Sequence, residues 1–164
     1  MPATYEPIAT YTATGSVATY TFSSIPSTYT DIVAVLNTGN GSNSQVRTRF
    51  NSDSATNYSR TVLRGSGTAA SSFRESSQTY FQLDAEGSSS NALQQTVIVQ
   101  FNNYSNTTTF KTMLSRANNA SYGVDAIVGL WRSTSAITSI EFFNSNASNW
   151  IAGSTFTLYG IKAA

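Results

Sequence analysis

The sequence predicts an all-β chain, an antiparallel two-sheet sandwich of the jelly-roll kind, and three observations carry that expectation. Apolar and polar residues alternate with a period of two in several segments, which puts successive side chains on opposite faces of a strand. Clusters of Gly, Asn and Ser interrupt the pattern at short intervals, as turns between strands do. No segment sustains the 3.6-residue apolar period of a helix. With 164 residues, the chain suits one sandwich domain spanning 1–164, since chains divide into domains only beyond roughly 250 residues.

In chain order, strands are expected near 5–12, 16–23, 31–37, 45–50, 58–64, 78–84, 93–101, 109–116, 122–132, 137–143 and 154–162. Ala18, Tyr20 and Phe22 alternate with Val17, Thr19 and Thr21. Val46, Thr48 and Phe50 alternate with Arg47 and Arg49, and Phe110, Thr112 and Leu114 with Lys111 and Met113. Phe156, Leu158 and Gly160 alternate with Thr157, Tyr159 and Ile161. The runs 32–36 and 96–101 are apolar almost throughout, which predicts central strands covered on both faces or facing a neighbour. Pro7 and Pro26 belong at strand edges or turns, because proline donates nothing to a ladder. A short helical turn fits near 54–58. The stretches 38–44 and 85–91, dominated by Gly, Ser and Asn, are expected to be the most flexible.

Composition narrows the function classes. Histidine and cysteine are both absent, which removes the commonest general base and transition-metal ligand together with disulfides and thiolate metal sites. No cofactor is expected, and an enzyme is not. Nine basic residues stand against eight acidic ones, without the basic excess of a nucleic-acid binder. Polarity comes instead from 26 Ser, 23 Thr and 14 Asn, which hydrogen-bond without charge. No apolar run approaches the about 20 residues that span a bilayer, so no membrane partner is expected. Residues 1–10 lack the basic and apolar segments of a signal peptide, so folding in the cytoplasm is expected.

Few constellations remain. Asp84 and Glu86 are the best carboxylate pair, two apart where a strand runs into a loop, but a solvated loop mouth explains them more simply. Residues 51–57 offer alternating oxygen ligands around Asp53, without the glycine and distant glutamate of an EF-hand loop. An Asx-turn leading into a helix N-cap at Asp53 and Ser54 is preferred to calcium. Arginine outnumbers lysine seven to two. If strands 45–50 and 58–64 are neighbours, Arg47, Arg49, Arg60 and Arg64 can share a face suited to an interface. Trp131, inside an apolar run, is expected to be buried. Trp150, near a turn, is the exposed candidate to join that interface.

The whole chain resembles a family of small structural proteins of tailed bacteriophages. The opening Met1-Pro-Ala-Thr-Tyr-Glu-Pro-Ile-Ala-Thr10 carries the likeness, as do Val17 to Val33, Phe50 to Arg60, Gly129-Leu-Trp-Arg132 and Ala136 to Ile140. The ending Gly153-Ser-Thr-Phe-Thr-Leu-Tyr-Gly-Ile-Lys162 is the most specific segment. The resemblance implies a β-sandwich component of the virion, with no catalytic motif to transfer. A capsid decoration or cement subunit is the preferred reading, because the chain is small and shows no fibre-type repeat. A tail or fibre receptor-binding module is the alternative. The implied partners are the phage major capsid protein or another virion protein, and further copies of the chain itself, as a homotrimer.

Overall fold

The computed structural model describes residues 4–40, 43–85 and 94–162. The strands are β1 (Tyr5–Thr12), β2 (Thr19–Phe22), β3 (Asp31–Thr38), β4 (Val46–Phe50), β5 (Tyr58–Gly65), β6 (Ala70–Gln78), β7 (Phe81–Gln82), β8 (Gln95–Asn102), β9 (Lys111–Asn119), β10 (Gly123–Trp131), β11 (Ile140–Asn144) and β12 (Thr155–Ile161). Among the described residues there is no helix. Every strand pairing is antiparallel.

Eight strands form a large sheet in the order β1-β12-β3-β8-β9-β10-β5-β6, and four form a small sheet in the order β2-β11-β4-β7. The chain steps back and forth between the sheets: β2 small, β3 large, β4 small, β5 and β6 large, β7 small, β8 to β10 large, β11 small, β12 large. That winding is the jelly roll. It is elaborated here by the three-stranded meander β8-β9-β10, where a simple roll has one strand, and by the β1-β12 pair added at one edge.

Alternation in the sequence places the core between the sheets. On β4, Val46, Thr48 and Phe50 point inward while Arg47 and Arg49 point out. Phe50 of the small sheet meets Phe101 and Trp131 of the large one, at ring-centroid distances of 5.1 and 5.3 Å. Phe142 and Phe156 repeat the contact further along, at 6.0 Å. Edge-on and tilted rings of this kind interlock the two layers and add to the area they bury. As expected, the apolar runs 32–36 and 96–101 lie on interior strands, β3 and β8, which pair directly.

Two expectations about elements need correction. Beyond Gln78, the last residue of β6, the range 78–84 contains only the two-residue strand β7. The Ser-rich stretch 70–78 forms the long edge strand β6, almost all of it exposed or half-buried, so packing never required an apolar alternation there. Residues 54–58 make no helical turn. Asp53 Oδ1 accepts from Ala55 N at 2.9 Å, an Asx-turn that leads into β5 instead of capping a helix. Of the stretches 38–44 and 85–91, Thr38, Asn40 and Ser44 are buried, with Asn40 in a β-bridge to Trp150, and residues 41–42 lie outside the described residues. Residues 86–91 lie outside the described residues.

Candidate interaction surface

The arginines do not form one face. Strand β4 belongs to the small sheet and β5 to the large one, so the chain crosses the sandwich between them and the two pairs part. Arg47 and Arg49 do project from one side of β4. Each guanidinium lies over an aromatic ring, Arg47 over Tyr80 at 4.1 Å and Arg49 over Phe143 at 4.6 Å. Tyr80 and Phe143 meet edge to face at 6.2 Å. Arg49 Nε donates to Thr79 O at 3.1 Å, with Glu141 3.7 Å away, and Arg47 donates to Ser145 O at 3.3 Å. These side chains are already engaged within the molecule.

Two of the proposed contact residues are not at the surface. Arg60 is buried, its Nε donating to Glu75 at 2.6 Å and its Nη1 to Gln82 O at 3.3 Å. It closes the open edge of the sandwich between β5 and β7. Trp150 is wholly buried against Phe156, at 5.0 Å between rings. The backbone around it is stitched down, Trp150 N donating to Val17 O at 2.9 Å and Ile151 N to Gly39 O at 3.0 Å. The turn that suggested exposure therefore folds inward and plugs the end of the core. Arg64 is half-buried, donates to Ser71 at 2.9 Å and lies 5.4 Å from the ring of Phe73. Trp131 is buried as expected.

The carboxylates follow their own logic. Asp84 sits at no solvated loop mouth: it is fully buried, and its Oδ1 accepts from Val46 N at 3.1 Å. Glu86 lies outside the described residues. Asp53 accepts from Trp131 Nε1 at 2.7 Å and Asn57 Nδ2 at 2.9 Å. Burial works against its charge, but the hydrogen bonds from Asn57, Trp131 and Ala55 outweigh it and hold the carboxyl below its ordinary value. Its oxygens are thus spent on the fold. Among the described residues no three acidic side chains gather as a metal site would need.

A different surface stands out: the outer face of the large sheet over β5, β9 and β10. Leu63 (60% exposed), Val124 (57%), Val128 (57%) and Leu114 (42%) all point to solvent there. The register makes them neighbours. Ala126 pairs with Leu63 on one side and Arg116 on the other, and Val128 pairs with Leu114. Around Val124 and Leu63 the surface dips into a shallow hollow of about 400 Å³ that also includes Gly65, Ala70 and Arg116. The signal was present in the sequence. Residues 124–131 are apolar at nearly every position, Val124, Ala126, Val128 and Leu130 on one face and Ile127 and Trp131 on the other. A strand that is apolar on both faces and covered on one leaves the other bare.

No family model and no curated protein matches the chain. Among solved structures it is similar to a galectin of Caenorhabditis elegans, LEC-6, with 10% identity over 94% of this chain and 96% of that one, at a TM-score of 0.37. A likeness that loose carries no argument about what the chain does.

Proposed function

We propose that the chain is a structural protein of a tailed-bacteriophage virion, a capsid decoration or cement subunit that attaches to the shell through the outer face of its large sheet. The observation that carries an attachment role is the cluster of Leu63, Leu114, Val124 and Val128 on that face. Contiguous apolar surface on a monomer costs solubility and typically marks an interaction site. The virion assignment rests on the sequence resemblance, which runs through nearly the whole length. The proposed partners are the major capsid protein or another virion protein, with copies of the chain closing into a trimer on the particle. Labelled-antibody imaging of intact particles tests the reading. Label over the shell supports it, label over the tail replaces it with a tail or fibre module, and particles without label overturn the virion assignment.

A further inference from the structure

Charge in this protein is mostly spent inside the molecule. Five of its seven arginines are engaged there: Arg47, Arg49, Arg60 and Arg64 as described, and Arg132 with Thr56 O at 2.7 Å. Among the described residues, Arg74 on β6 and Arg116 on β9 have no hydrogen bond, ion pair or ring contact. Both are exposed, and the register puts both on the outer face of the large sheet. One cross-strand row runs Leu114, Val128, Thr61, Arg74 over β9, β10, β5 and β6, and the next runs Arg116, Ala126, Leu63, Ser72. Direct cross-strand partners share a face, so the two arginines stand at diagonal corners with the apolar side chains between them. Three strand spacings and two residues separate their Cα atoms, roughly 16 Å. Arg116 also borders a hollow on each side, the one around Val124 and Leu63 and a second of about 280 Å³ beside Val33, Ile98 and Leu114.

We propose that this face docks a protein surface whose projecting apolar side chains enter the two hollows and whose carboxylates meet Arg74 and Arg116. The proposal rests on the attachment reading above and adds the chemistry of the partner. Its basis is charge complementarity. On β5, β6, β9 and β10 the acidic residues are Glu75 and Asp125, and both turn to the inner side. The outer face there is therefore apolar and cationic, with no anion of its own. A purely apolar partner would strip water from two guanidinium groups and leave them unpaired, which opposes docking. A second copy has no carboxylate to spare among its described residues. Glu6, Glu75 and Glu141 pair with Lys162, Arg60 and Arg49. Asp31, Asp53, Asp84 and Asp125 accept from the main-chain N–H groups of Asn103, Ala55, Val46 and Ala85. A nucleic acid fits poorly, because two arginines set among Leu and Val make few phosphate contacts. A bilayer fits poorly as well, since hollows in a sheet face receive side chains and insert none.

The test is occupancy on stripped phage particles, with the melting temperature of each variant checked first. Arg74→Gln/Arg116→Gln should bind about tenfold or more weakly than wild type. Amidating the carboxylates of the stripped particles should weaken wild type to a similar extent and leave the Gln variant where it was, because its charged contact is already gone. Full occupancy by a folded Gln variant overturns the proposal, and so does equal loss of wild type and variant on amidated particles. Wild type that ignores shells but occupies purified tails removes the shell reading alone, and the same variant and amidation then decide the carboxylate contact on tails. Wild type that binds neither, or that floats with phosphatidylglycerol vesicles instead, overturns both. Loss of self-association in the Gln variant, read by sedimentation, would assign the face to a second copy and equally overturn the proposal.

Discussion

Asp53 shows how one exposed-looking acid holds three parts of the chain together. Its two oxygens take hydrogens from Ala55 and Asn57 in its own loop and from the indole of buried Trp131 across the sheet. The loop is tight, with Asn51 and Ser52 both at positive φ. Asn51 secures it from the other side, accepting from Thr138 N and Ser139 N at 2.9 and 3.1 Å and donating to Ala136 O at 2.8 Å. Replacing Asp53 by Ala orphans the Trp131 N–H, and we expect a loss of about 1–3 kcal/mol in urea unfolding. With its carboxyl value depressed, its stabilisation is present above the ordinary value and lost as pH falls through the folded one. An Asp53→Asn variant should therefore unfold with a shallower dependence on acid, measured as melting temperature below about pH 4.

At the scale of the strand, β10 is the element on which both faces matter. Its inner side carries Asp125, Ile127, Gly129 and Trp131, and its outer side the bare apolar row. Gly129 is there because of what lies opposite. A Cβ at that position would come within 2.5 Å of Phe81 Cε1 and 2.7 Å of Met113 Cε. The Met113 terminus can yield, but the Phe81 ring is packed against Phe50 and Tyr58 at 5.5 and 5.0 Å. Gly129→Ala should cost about 1–3 kcal/mol by overpacking, read as a lower urea midpoint at unchanged slope. Neighbouring β9 shows why period alone does not settle orientation. Lys111, Met113, Ser115 and Ala117 face inward, and Leu114 faces out. Lys111 is tolerated because its Nζ donates to Thr109 O and Thr134 O, at 2.8 and 3.2 Å, and Ser115 because its hydroxyl donates to Leu83 O at 2.9 Å.

For the whole molecule, the two outer faces make different predictions about attachment. On the small sheet, Arg47 and Arg49 are stacked and hydrogen-bonded within the chain, so a partner gains little by meeting them. On the large sheet, the apolar row of Leu63, Leu114, Val124 and Val128 is exposed. Reconstitution onto stripped particles separates the two. Leu63→Ser/Val128→Ser should weaken occupancy by on the order of tenfold or more, since burying each side chain is worth about 1.5–3 kcal/mol. Arg47→Ala/Arg49→Ala should weaken it less, and chiefly at low salt, as steering charges do. Equal loss from both variants, each with an unchanged melting temperature, would return the β4 arginines to the interface. Sedimentation at micromolar concentration should show an oligomer, with the trimer as the expected state. A monomer both free and extracted from particles would remove self-association from the reading.

The part of this protein legible in the sequence is the part governed by local rules. Alternation with period two, interrupted by Gly and Asn turns, follows from the strand itself, so the all-β class, the interior position of the runs 32–36 and 96–101 and the burial of Trp131 could be read directly. What the tertiary structure decided depends on which strands lie side by side. The passage of the chain from the small sheet at β4 to the large sheet at β5 separated Arg47 and Arg49 from Arg60 and Arg64, and no spacing within 47–64 encodes that step. Strand β6 escaped notice because an edge strand exposed on both faces satisfies its backbone through one neighbour and needs no apolar side chains. Trp150 and Asp84 share a reason. Each follows a turn or strand end that reads as surface, and each is drawn inward by a long-range hydrogen bond, Trp150 N donating to Val17 O and the Asp84 carboxyl accepting from Val46 N. The pairing of strands distant in sequence thus sets which polar groups are buried and which apolar row is left in water.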